Sequence, residues 1–260
     1  MMATAIVAGF FAGFFGIGGG IITVPVLFYI FNNFGVDQNY TMHLAVGTSF
    51  SIIIPTAIVS VFTHYKHRAV DLNIVKGYGG YVVFGVIIGT IFAASLETKS
   101  LLIFFAVVLY LLSINFFFQK EKIKRKLNLN LVSKTILGFF VGFVSSLTGT
   151  GGAVMNVPIL KFCGYPINIA LGSSAAIGFF ISFFGALGFL ISGTYLGVNL
   201  PLSLGFISIP AFLIFVPITT FMARFGAKLL HKVNRKKISK LFGTFLLIMA
   251  SKLLFDYFQF

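Results

Sequence analysis

Acidic side chains are nearly missing from this chain. Five aspartates and glutamates stand against 19 lysines and arginines, and charged residues of both signs fill 9% of 260 positions. An enzyme built on paired carboxylates or a positioned base is short of parts, because the five acids and four histidines fall in connections or near the ends of apolar runs. His43, near the start of one run, fits an interfacial anchor, with proton relay as the alternative. Cysteine occurs once, at Cys163, which excludes an internal disulfide and a thiolate metal cluster. Gly16-Ile17-Gly18 has the spacing of a dinucleotide loop, but no strand or soluble domain surrounds it, and there is no Walker motif. No metal or other cofactor is expected. Met1-Met2-Ala3-Thr4 lacks the charged region of a cleavable signal sequence, so the first apolar stretch is read as part of the fold.

What the chain has in excess is apolar surface. It is 58% hydrophobic, with a mean hydropathy of +1.03, more than one soluble domain can bury. An all-α polytopic membrane protein is expected, with the lipid bilayer as its first partner. The net charge of +14 does not point to nucleic acid, since no soluble domain presents the basic residues as a groove. It reports sidedness. Lys66, Arg68 and Lys76 form one basic stretch, Lys120 to Lys126 a second, and Arg224 to Lys240 a third; the positive-inside rule places all three in the cytoplasm. Lys161, Arg224 and Lys252 sit where they can snorkel from helix ends. Between the basic stretches run apolar segments at about 41 to 63, 77 to 96, 100 to 118, 167 to 192, 200 to 223 and 238 to 258, each near the ~20 residues a crossing needs.

Two further apolar regions, 3 to 31 and 132 to 163, are interrupted by glycine. A single crossing by 132 to 163 would carry the Arg224 to Lys240 stretch outside, against its charge. A hairpin that enters and leaves on the cytoplasmic side removes the conflict, with arms at 132 to 147 and 153 to 163. Those arms would be ~16 to 24 Å long, shorter than the ~30 Å hydrocarbon core. Region 3 to 31 becomes the matching hairpin from the outer face.

The halves repeat. Gly9-Phe10-Phe11-Ala12-Gly13-Phe14 matches Gly138-Phe139-Phe140-Val141-Gly142-Phe143, and Ala45-Val46-Gly47-Thr48-Ser49 matches Ala170-Leu171-Gly172-Ser173-Ser174, with four extra residues between Gly142 and Gly149. The expected domains are a first repeat over 1–118, a basic linker over 119–131 and a second repeat over 132–260. Each is a glycine-broken re-entrant hairpin plus three crossings, and the odd number of crossings inverts the second copy. The pairs Gly9/Gly13, Gly85/Gly89 and Gly138/Gly142 read as helix-packing contacts.

The glycine breaks themselves read as a site. Gly18, Gly19 and Gly20 in the first copy, and Gly149, Thr150, Gly151 and Gly152 in the second, allow close ligand approach, and the arm after each aims its free N–H groups and dipole at the same point. Two such N-termini suit an anion. Thr23 and Asn156 hold matching positions one turn into the arms as side-chain donors, and Thr48, Ser49, Ser173 and Ser174 form a second tier that can bind or merely pack. Pro25 and Pro158 match as bend or gating positions, each freeing a carbonyl.

These paired GxGGGxxxVP-like and TGxGGxxxxVP-like motifs, with AVGTS and ALGSS after them, resemble the sulfite exporter TauE/SafE family, also called the four-toluene sulfonate uptake permeases. The resemblance spans essentially the whole chain and implies about eight conventionally counted transmembrane segments and transport of sulfite, sulfonates or other organic anions. The expectation is a secondary transporter in the cell membrane, rocking one repeat against the other around the glycine tips. An anion channel, or a carrier of non-sulfur anions such as carboxylates, is the alternative. Coupling is open between a proton gradient, a sodium gradient and the anion's own gradient, and self-association into a homo-oligomer is open too.

Overall fold

The computed structural model describes residues 2–15, 19–118, 130–229 and 235–259. Helices α1 (Met2–Phe15) and α2 (Gly20–Asn33) flank the first glycine break, followed by α3 (Thr41–Lys66), α4 (Leu72–Ser95) and α5 (Thr98–Phe118). Helices α6 (Leu131–Thr148) and α7 (Ala153–Phe162) flank the second, followed by α8 (Ile167–Tyr195), α9 (Ile209–Leu229) and α10 (Arg235–Gln259). A small antiparallel pair, β1 (Ser203–Leu204) and β2 (Ile207–Ser208), lies between α8 and α9. The protein is all-α and polytopic, with six helices among the described residues long and apolar enough to cross a membrane: α3, α4, α5, α6, α8 and α10. Outward-facing Phe84, Ile91, Leu111 and Leu213 suit contact with lipid. Residues 119–129, which hold most of the expected linker, lie outside the described residues, as does Gly18.

Two segments differ from expectation. The crossing expected at 200 to 223 begins only at Ile209, because Leu202 and Gly205, both left-handed, turn the chain into the β1–β2 hairpin first. Pro210, in the first turn of α9, has no N–H to lose there. Helix α6 is longer than the expected arm: its 18 residues run unbroken to Thr148, about 27 Å at 1.5 Å per residue. Local chemistry sets other boundaries. Asp71 caps α4 by accepting from the Asn73 N–H at 2.8 Å, and Asn130 caps α6 through the Ser133 N–H at 2.9 Å.

Packing directions follow from the glycine contacts. Gly138 lies against Tyr78 and Tyr81, Gly142 against Val82 and Val86, Gly85 against Phe139 and Gly89 against Phe143, so α4 and α6 run parallel with backbones nearly touching. Helices α5 and α10 run antiparallel, joined by Tyr110–Ser251 at 2.8 Å and by Ser113 Oγ donating to Gly243 O at 2.9 Å. Helices α3 and α8 also run antiparallel, Gly47 meeting Phe189 and Gly185 meeting Phe50. Helix α4 packs along both α6 and α8, and α9 along both α1 and α3.

These directions sort the connections onto two faces. Helix α6 starts beside the start of α4, and the start of α8 is held to the α3–α4 loop by Gly172 against Ala69 and by the Asp71 N–H donating to Ser173 Oγ at 3.0 Å. Helices α6 and α7 therefore enter and leave on the face that carries Lys66 and Arg68. The opposite face gathers the start of α5, where Thr98 Oγ1 donates to Asn39 O at 2.7 Å, and β2, whose Ser208 N–H donates to Thr48 Oγ1 at 2.9 Å. It also holds His43, which is no interfacial anchor: it is 2% exposed, stacks on Phe206 and places Nε2 3.2 Å from Ala93 O. Lys252 covers the Tyr29 ring at 4.1 Å, while the Tyr29 hydroxyl bonds Asp256.

Candidate functional site

Both glycine breaks end in left-handed residues that only glycine adopts without strain. Gly19 (φ 81°) precedes α2, and Gly152 (φ 67°) precedes α7, while Gly149 (φ 61°) closes α6. Neither α2 nor α7 has a side-chain cap. Gly19 O and Gly152 O accept from the third and fourth N–H of their helices, Ile22 and Thr23 in one and Met155 and Asn156 in the other, at 2.9 to 3.1 Å. The first N–H groups, on Gly20 and Ile21 and on Ala153 and Val154, belong to buried residues at uncapped helix starts. A buried helix start without a cap concentrates positive partial charge in a low-dielectric place.

The two tips meet. A Cβ on Gly20 would run into Gly149 O and lie 2.9 Å from Thr150 Cα, so the close approach requires glycine. Ser49 Oγ donates to Gly149 O at 2.9 Å across the junction. Ile53 stands between the tips, 3.1 Å from the Gly20 Cβ position and 3.3 Å from that of Gly151.

The polar side chains gather on one side of this junction. Ser145 Oγ is 3.2 Å and Asn156 Nδ2 3.3 Å from the Gly152 Cβ position, and Ser182 Oγ is 3.5 Å from that of Gly151. Ser145, Asn156 and Ser182 are each 0% exposed. Ser145 Oγ, Ser182 Oγ and both amide atoms of Asn156 have no hydrogen-bonding partner among the described residues. An unpaired polar atom at such depth costs about 1–3 kcal/mol, so four of them around one helix start are expensive unless a ligand satisfies them.

The residues expected from the sequence divide accordingly. Gly20, Ser49, Gly149, Thr150, Gly151, Gly152 and Asn156 come together at the junction, and Gly19 caps the opposing arm. Thr23 spends its hydroxyl on Gly19 O at 3.0 Å, unlike its counterpart Asn156. Thr48 and Ser173 each accept the N–H at the start of a neighbouring helix, Ser208 and Asp71 respectively. Ser174 Oγ is buried and unpartnered, one turn from Gly178, which touches Gly151 O. Pro25 and Pro158 lie inside α2 and α7 and release the carbonyls of Ile21 and Val154.

Ser145, Ser182 and Ile53 were not expected. Ser174, Gly178 and Ser182 lie at intervals of four on α8, one face of small and hydroxyl residues, which is a signal the sequence does carry. A cleft of about 460 Å³ lies between Pro55, Ile58 and Val59 of α3 and Pro217, Thr220 and Arg224 of α9. Thr220 Oγ1 also has no partner there among the described residues.

Comparison with known proteins gives a consistent picture. Residues 1–253 match the family model described as sulfite exporter TauE/SafE. A probable membrane transporter protein of Haemophilus influenzae is 34% identical over 249 residues, covering 94% of this chain and 92% of the relative. One from Methanocaldococcus jannaschii is 26% identical over 260 residues, covering 96% and 94%. A third, from Bacillus subtilis, is 24% identical over 281 residues, covering 98% and 97%. No solved structure gives a significant match.

Proposed function

The chain belongs to the sulfite exporter TauE/SafE family, and from that premise we propose that it is a secondary transporter of small anions of the sulfite or organosulfonate type. It is a multi-pass membrane protein of a transporter family. The observation that carries the reading is the uncapped start of α7 with Ser145, Asn156 and Ser182 buried and unpartnered around it. Backbone N–H groups, a helix dipole and neutral side chains are what an oxyanion needs, and they hold it loosely enough to release it. The meeting of the two tips at Gly20 and Gly149 supports two inverted repeats over 1–118 and 132–260 joined by the 119–131 linker, with alternating access about that point. The basic face then lies in the cytoplasm.

The test is a thermal-shift screen of purified protein against sulfite, thiosulfate, sulfonates and carboxylates. Stabilisation by sulfur oxyanions, lost in Gly151→Leu, is expected. Equal stabilisation of the variant would remove the anion from this junction, and stabilisation by carboxylates alone would replace the substrate class. Exchange of labelled anion in vesicles separates a carrier from a conducting pore.

A further inference from the structure

An anion's bare oxygens can satisfy only half of Asn156. Its Nδ2 donates, and so do Ser145, Ser182 and the first N–H groups of α7; its Oδ1 can only accept. Both atoms are unpartnered, and the residue is 0% exposed. A 180° flip of the amide exchanges the two atoms and still leaves one donor and one acceptor. The requirement is specific to this arm, since Thr23 at the matching position has bonded its hydroxyl to the Gly19 carbonyl. Donor and acceptor share one amide carbon, so a single ligand group that spans both must offer an O–H and a bare oxygen on one central atom.

We infer that the ligand of this junction is a protonated oxyanion, a small acid monoanion that keeps one O–H, with hydrogensulfite as the sulfur example. The O–H goes to Oδ1, a neighbouring oxygen takes Nδ2–H, and the remaining oxygen faces Ser145, Ser182 and the α7 N–H groups. A sulfonate, or the fully deprotonated dianion, has acceptors only and leaves Oδ1 buried and unpaired. It should bind about tenfold or more weakly. This rests on the anion-site reading above and narrows it to one protonation state.

The dependence on pH should come from the ligand. Titratable groups on the elements packed around the tip are Tyr29 of α2, Lys134 of α6, Lys161 of α7, Tyr195 of α8 and His43, His64, Tyr65 and Lys66 of α3, and all stand toward helix ends. None is among the neighbours found at Gly151 or Gly152.

The experiment is calorimetric titration of the detergent-purified full chain with sulfite across its second ionisation, with methanesulfonate and sulfate as probes without an O–H. Apparent sulfite affinity should fall with rising pH in step with the hydrogensulfite fraction, while methanesulfonate binds at least tenfold more weakly and shows no pH trend. Asn156→Thr, which can bond its own helix start as Thr23 does, should bring sulfite down to the methanesulfonate level. Equal affinity for methanesulfonate or sulfate, or sulfite binding that is flat or rises with pH, overturns the protonated-ligand inference. Sulfite binding undiminished in Gly151→Ala, or absent from the unmodified chain, overturns the anion-site reading instead.

Discussion

Ser49 on α3 gives its hydroxyl hydrogen to the carbonyl oxygen of Gly149, at 2.9 Å and 100 residues away in sequence. The bond fastens one helix to the tip of a hairpin from the other end of the chain. Ser49→Ala leaves that carbonyl without the hydroxyl, in a site with no exposed surface. A loss of about 1–3 kcal/mol is expected, read as a lower midpoint of unfolding in detergent, together with weaker anion binding. An unchanged midpoint would mean that the contact carries no weight.

Gly20 and Gly151 should respond differently to the same methyl group. At Gly20 it strikes backbone, Gly149 O, which cannot give way cheaply; at Gly151 it meets side chains at 3.3 and 3.5 Å, and the backbone there is not left-handed. Gly20→Ala is expected to destabilise the fold, and Gly151→Ala to fold normally while losing anion uptake. Size-exclusion profile and transport assay together separate these outcomes, and a normal profile with normal transport for Gly20→Ala would contradict the tip geometry.

Within α4 the glycines sort by what faces them. Gly85 and Gly89 lie against the α6 backbone, whereas Gly77 and Gly80 have nothing within 4 Å. Gly77→Ala and Gly80→Ala should be harmless or gain about 0.5–1 kcal/mol from helix propensity. Gly85→Val should prevent α6 from docking and reduce recovery of folded protein. Similar yields for all three would be incompatible with the α4–α6 contact.

Sidedness can be read by labelling cysteines in a Cys163→Ala background. Cysteines at positions 66, 131 and 165 should react from the cytoplasmic side, and one at Tyr195, 89% exposed, from the outside. Position 131 reacting on the opposite side from 165 would turn the α6–α7 hairpin into a crossing.

Much of this was legible because membrane helices must be long, apolar and correctly charged at their ends. The arms around Gly19 and Gly152 could be placed to within a residue or two, since a glycine break leaves few choices for where a buried helix starts. The β1–β2 hairpin was not legible: Leu202, Leu204, Phe206 and Ile207 are as apolar as a crossing, and the left-handed backbone at Leu202 and Gly205 diverts them. The role of Thr48 and Ser173 was hidden for another reason. Their partners, Ser208 and Asp71, are fixed by tertiary contact, and no local pattern distinguishes a hydroxyl that holds a neighbouring loop from one that faces a ligand. Ser145 and Ser182 had no counterpart in the first copy, so a reading guided by internal repetition passed over them.

The exchange of fourth helices between the halves has a mechanical consequence. Helix α4 is seated on α6 and α8, and α9 on α1 and α3, so neither half of the sequence is free to pivot as a block. The packing groups are mosaics of the two halves, α9 sitting with α1 and α3, and α4 with α6 and α8. The groups meet along α3 and α8 and again at the Gly20–Gly149 tips, and residues 67–71 and 196–208 run from one group to the other. Under the alternating access proposed above, those two connections are the expected joints, far in sequence from the glycine breaks, and stiffening either one should slow turnover while leaving anion binding intact.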